Sequence, residues 1–156
     1  MLTVNPLTEL EALYQDAYDN DINVINVHFS PTKKAACLCG VADNILLDKE
    51  RIETDAEEAE HLIHELIHIK SGSLYFLTEA SNAPNEKVIR QKAEARTRRD
   101  TVLELLPPEE LQDAIYSEGA EFWRIAEYCG RTVEFVIEAF ELYERMGIDF
   151  DIPEWE

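Results

Sequence analysis

His64-Glu65-Leu66-Ile67-His68 is the stretch of this chain best equipped for chemistry, with two imidazoles four residues apart and a carboxylate beside the first. On a helix, residues i and i+4 stand one above the other, so His64 and His68 can hold one cation together, with zinc the default for imidazole donors. Glu65 is carried to the side of that clamp, where a carboxylate takes a proton from water that the cation has acidified. Three letters fixed over five positions also arise by chance, so the weight of the pattern depends on the segment that carries it. His61, three residues before His64, faces the same sector, yet it stands about 10 Å along the helix axis from His68, which excludes it as a shared ligand. We read His61 as a polar residue at the mouth of the cleft, and His28 as a strand residue with a hydrogen-bonded ring.

The segments around this stretch are those needed to position it. Thr54-Asp55-Ala56-Glu57 is a capping-box pattern that starts the histidine helix, acidic residues crowd its first turn, and Gly72 is placed to stop it. Upstream, Asn5 and Pro6 open a first helix in which Leu10, Leu13, Tyr14, Ala17 and Tyr18 recur on one face. Three strands follow, over residues 22–29, 36–42 and 45–47, read as an antiparallel meander with Ile25, Val27 and Phe29 on one side of the first. Residues 71–84 read as a loop beside the site, in which Tyr75 is a candidate to stabilise an oxyanion.

Asn85 then caps a helix running to Leu106, where Pro107 and Pro108 end it. It carries six of the fourteen cations, which have carboxylate partners nearby, and Glu94. The distance in sequence from His68 to Glu94 is typical of metallopeptidases whose third ligand is a glutamate. A short helix around Leu111, Ala114 and Ile115 follows. Two more, Glu121 to Tyr128 and Val133 to Met146, have the spacing of a helix-turn-helix. Arg124, Arg131 and Arg145 against six glutamates leave that pair without a basic face, so it reads as helical packing.

A chain of 156 residues suits one compact assembly: a core over 1–107, a helical extension over 108–148 packed on it, and an acidic, loose tail over 149–156. Lysine plus arginine at 14 against aspartate plus glutamate at 33 gives a net charge of −19, which repels phosphate backbones and anionic lipid. Direct nucleic-acid binding and membrane association are therefore not expected, and a basic protein partner suits the charge better. No apolar run approaches the roughly 20 residues of a membrane span, and the start of the chain has no signal-peptide pattern, so the cytoplasm is the expected compartment. Three cysteines argue against a disulfide framework, and Cys37 and Cys39 are most simply reduced strand thiols.

The histidine pentad, then Glu94-Ala95-Arg96-Thr97-Arg98-Arg99, then Leu105-Leu106-Pro107 together resemble the ImmA/IrrE family of phage and mobile-element metallopeptidases. There an H-E-x-G-H helix precedes a helix with an E-x-x-A-like pattern running into L-[ILM]-P. Glu94 and Thr97 fall on the E-x-x-A positions, and the likeness covers roughly residues 20–146. Ile67 stands where the family usually has Gly, and Asp100 where a large aromatic is common. The resemblance implies an α+β, zincin-like fold, a small three-stranded antiparallel sheet packed on helices with a helical C-terminal extension. It further implies a zinc-dependent hydrolase with His64, His68 and Glu94 as metal ligands and Glu65 as catalytic base. The expected substrate is a specific intracellular protein, such as a repressor or antitoxin in a transcription-regulating circuit. The alternative is a catalytically weak, metal-binding regulatory or toxin-antitoxin partner of the same fold.

Overall fold

The computed structural model describes residues 7–28, 34–38, 43–71 and 86–153. These form six helices and a small three-stranded mixed sheet, an α+β arrangement. The chain divides inside its third described helix into two compact units, Met1–Glu94 and Ala95–Glu156. No described helix is long and apolar enough to cross a membrane.

In the first unit, α1 (Glu9–Asp19) starts at Thr8, whose hydroxyl accepts a hydrogen bond from the Glu11 amide at 3.2 Å. The cap is thus Thr8, with Asn5 and Pro6 outside the described residues; the shift is physical, since a threonine hydroxyl satisfies an amide of the first turn directly. Ala17 is buried, whereas Tyr18, assigned to the core face from its spacing, is 78 % exposed. Asp21, with φ of 57°, occupies the left-handed region that short polar residues tolerate, and turns the chain into the sheet.

The strands are β1 (Ile22–Asn26), β2 (Ala35–Leu38) and β3 (Asp43–Leu47), in the order β1-β3-β2. β1 runs parallel to β3, and β2 runs antiparallel to β3, so the expected all-antiparallel meander is incorrect. Burial supplies the reason. Ile45 and Leu47 of β3 are fully buried, while β1 leaves Asn23, Ile25 and Asn26 exposed, so the strand with the fully buried large side chains takes the centre and the polar β1 an edge. Residues 27–42 are long enough for the crossover of about a dozen residues that a parallel pair requires. Because strand faces alternate, burying Ile22 turns the side that carries Ile25 outward, with Ile25 at 43 % exposure. Cys37 lies in β2; Phe29 and Cys39 fall outside the described residues.

α2 (Asp55–Ser71) packs against α1, β2 and β3. Tyr14 donates its hydroxyl proton to Glu58 at 2.9 Å, Lys70 pairs with Asp16, and Lys34 pairs with Glu57. α3 (Glu86–Leu105) has Ala93, Thr97, Thr101 and Leu105 buried at four-residue spacing, with Val102 buried beside them, a narrow stripe of mostly small side chains on a helix rich in charged residues.

In the second unit α4 (Pro108–Glu118), α5 (Phe122–Cys129) and α6 (Val133–Arg145) follow with short connections, and α5 packs on both neighbours. Pro108 opens α4 where its missing N–H costs nothing, and Gly130 takes the left-handed conformation that ends α5. Thr132 caps α6 through the Phe135 amide at 3.2 Å. Leu106, Leu111, Ile115, Ile125, Val136 and Tyr143 are fully buried and form the centre of this unit. After α6 the chain returns to α4. Phe150 stacks edge-on against Phe140, and Asp151 exchanges backbone–side-chain bonds of 2.9 Å with Gln112.

Candidate metal centre

The N-terminus of α2 is fixed by the pattern legible in the sequence. The Glu57 amide donates to the Thr54 hydroxyl at 3.1 Å, and the Glu57 carboxylate reaches back to the Glu53 amide at 3.2 Å, one residue earlier than in the usual reciprocal box. Ala59, Leu62 and Leu66 form the buried stripe of the helix. Burying that stripe sets the rotation of α2, and His64 and His68 then stand together on the adjoining side.

Their partner is Glu94 on α3. Its Oε1 lies 2.8 Å from His64 Nε2 and its Oε2 3.0 Å from His68 Nε2, so one carboxylate bridges both rings. The rings meet edge-on, with centroids 4.8 Å apart. One donor atom from each of the three residues falls within 4.8 Å of the others, and the group can hold a metal ion. Two imidazole nitrogens and a carboxylate oxygen are a donor set used by catalytic zinc sites that keep a fourth position open. Zinc bonds of about 2.0–2.1 Å in a tetrahedron hold donors about 3.3 Å apart, so the 2.8 and 3.0 Å His–Glu separations must open by about half an ångström or less, and a separation at the 4.8 Å limit must close by about 1.5 Å.

The electrostatics favour the ligand form of Glu94. Hydrogen bonding to His64, and then to His68, holds its carboxyl well below the usual carboxylate range, and this outweighs the opposing effect of burial. His68 is buried and His64 half-buried. Glu65 is 7 % exposed and has no hydrogen bond among the described residues. Ile67, the residue in place of glycine, is half-buried.

His61 takes no part in the cluster. Its Nε2 lies 3.7 Å from Glu57 Oε1, and burial lowers its pKa against the pull of that carboxylate. His28 follows β1 as an exposed residue whose ring lies 3.7 Å from Asp48 and 3.5 Å from Glu50, more open than a strand position implies. Gly72 and Tyr75 lie outside the described residues. Sequence reasoning missed two supports. Fully buried Asp48 sits at the end of β3, and Lys34 reaches Glu57 from the start of β2. The alternation of β3, continued one step, was a signal for neither, because both depend on which strand takes the centre.

Comparison with protein-family models, with curated proteins and with solved structures finds no match to this chain.

Proposed function

We propose that the chain is a zinc-dependent metallo-endopeptidase of the ImmA/IrrE type that cleaves a specific intracellular protein, with a phage or mobile-element repressor as the leading candidate. One observation carries the reading: Glu94, thirty residues beyond His64, sets one carboxylate oxygen against each of the two imidazoles of an H-E-x-x-H helix. When bound, zinc supplies a Lewis acid that polarises a peptide carbonyl and lowers the pKa of water. His64 and His68 would hold it through their ring nitrogens, and Glu94 through its carboxylate. Glu65 accepts the proton of the attacking water at its carboxylate and passes it to the leaving amine. Its position next to His64 keeps it beside the ligands without being one of them. Incubation of the wild-type chain and Glu65→Gln with the proteins encoded by neighbouring genes, read by mass spectrometry for new termini, tests the activity. Loss of a general base slows cleavage by about 100-fold to 10,000-fold, and undiminished cleavage by Glu65→Gln overturns the mechanism.

A second reading follows from Ile67, whose branched side chain stands inside the histidine pentad where the similar family has glycine. A cleft narrowed there leaves a protein that holds metal and a regulatory or toxin-antitoxin partner without efficient hydrolysis. Adding Ile67→Gly to both backgrounds separates the two. Cleavage that appears or rises with Ile67→Gly and needs Glu65 supports the peptidase, and no cleavage in any of the four proteins favours the partner.

A further inference from the structure

In the second unit α4 and α5 each expose aromatic side chains. Trp123 is 57 % exposed, Tyr116 50 % and Phe122 40 %. Phe122 stacks on Phe140 at 5.3 Å, Phe140 on Phe150 at 5.6 Å, Tyr116 donates its hydroxyl proton to Asp151 at 3.0 Å, and the Trp123 indole N–H donates to Glu121 at 2.6 Å. Isolated exposed hydrophobic residues are ordinary, but tryptophan, tyrosine and phenylalanine exposed together on two helices packed on each other have the composition of a binding hot spot. The charge around it is one-sided: residues 108–156 hold fourteen carboxylates against three arginines.

The unit also shows what such a surface seats. The Arg124 guanidinium lies 5.8 Å from the Trp123 ring centroid, and its Nε is 3.7 Å from Glu118, a cation held between an aromatic face and a carboxylate. We propose that the Tyr116–Phe122–Trp123 face docks an arginine- and lysine-rich segment of a partner protein, whose cations repeat the Arg124 arrangement on the remaining aromatic faces and carboxylates. Nucleic acid is excluded by charge, and a neutral apolar partner would leave the carboxylates desolvated without counter-ions. The docking needs no catalysis at His64, His68 and Glu94, so it stands whether or not the chain cleaves what it binds.

The test uses the full chain and a fluorescein-labelled, helical arginine- and lysine-rich peptide, followed by anisotropy at physiological salt. Trp123→Ala, which changes no charge, and Asp113→Lys, beside Tyr116, are each expected to weaken binding about tenfold or more. Glu11→Lys, which makes the same change in net charge in the first unit, is expected to stay within about twofold. Circular dichroism of each variant establishes that it is folded. Equal losses in Glu11→Lys and Asp113→Lys mean that net charge alone attracts the peptide, and wild-type affinity in Trp123→Ala means that the aromatic face is not used. Either result overturns the proposal. So does sedimentation showing a dimer of the unliganded chain that Trp123→Ala dissolves, which would give this face to a second copy.

Discussion

Replacing Tyr143 by phenylalanine removes one oxygen from the middle of the second unit and leaves the ring in place. The residue is fully buried, and its hydroxyl donates to the Leu106 carbonyl at 2.6 Å, just past the end of α3. The last carbonyls of a helix have no partner within it, and beside this one the Leu105 carbonyl accepts from Arg131 Nε at 3.0 Å and Nη2 at 2.8 Å. Side chains of the second unit thus satisfy the end of the helix that carries Glu94. Tyr143→Phe forfeits a net bond of about 1 kcal/mol and strands a buried acceptor at a cost of about 1–3 kcal/mol, so we expect a loss of about 2 kcal/mol. For a chain of this size that lowers the melting temperature by about 4–8 °C. Urea titration followed by circular dichroism should show a lower midpoint at unchanged slope. A loss below about 0.5 kcal/mol would refute the reasoning, because it would mean that the Leu106 carbonyl finds another donor. Alkaline pH gives a second readout. Burial pushes the Tyr143 phenol from its ordinary value of 10.0 up to about 12. A folded value above the unfolded one contributes stability that is fully present below about pH 10 and is lost as the pH rises towards 12. Tyr143→Phe should lose less stability than the wild type across that window.

Thr54→Ala removes the hydroxyl that accepts from the Glu57 amide and should cost about 1 kcal/mol, measured by the same titration; no change would mean that Glu57 alone holds the start of α2. Cys129 is pushed up to about 11, first by burial and then by Glu110, so iodoacetamide at pH 8 should label it far more slowly than a free peptide thiol, as followed by peptide mass mapping. Labelling at the free-thiol rate would contradict that environment. His61→Ala should leave metal content near wild type, since the ring faces Glu57, and loss of metal from a folded variant would contradict its exclusion from the cluster.

Local signals carried much of this architecture. The start of α2 was legible because a threonine three residues before a glutamate satisfies amides whatever the tertiary structure does, and α4 to α6 were legible from the prolines at 107 and 108, from Leu111, Ala114 and Ile115 at helical spacing, and from the break at Gly130 between the last two helices. The juxtaposition of His64, His68 and Glu94 was anticipated from spacing on two helices and from the family resemblance. Strand order was not legible. Whether β1 lies beside β2 or β3 depends on how much apolar surface each strand can bury, and no short-range pattern in residues 22–47 encodes that comparison. The outward turn of Ile25 and the buried place of Asp48 follow from the same choice. Nor could spacing reveal the aromatic face of the second unit, because Phe122, Trp123 and Tyr116 look like core residues until the helices are packed.

The account rests most heavily on Glu94 completing a metal site with two histidines from another helix, and elemental analysis of the purified chain tests this directly. We predict about one zinc per wild-type molecule, the same in Glu65→Gln, and loss of the metal in His64→Ala, His68→Ala and Glu94→Ala, because each removes one of three protein ligands. Full metal retained by folded Glu94→Ala would contradict the account, since the carboxylate that meets both imidazoles would then be only their hydrogen-bond partner.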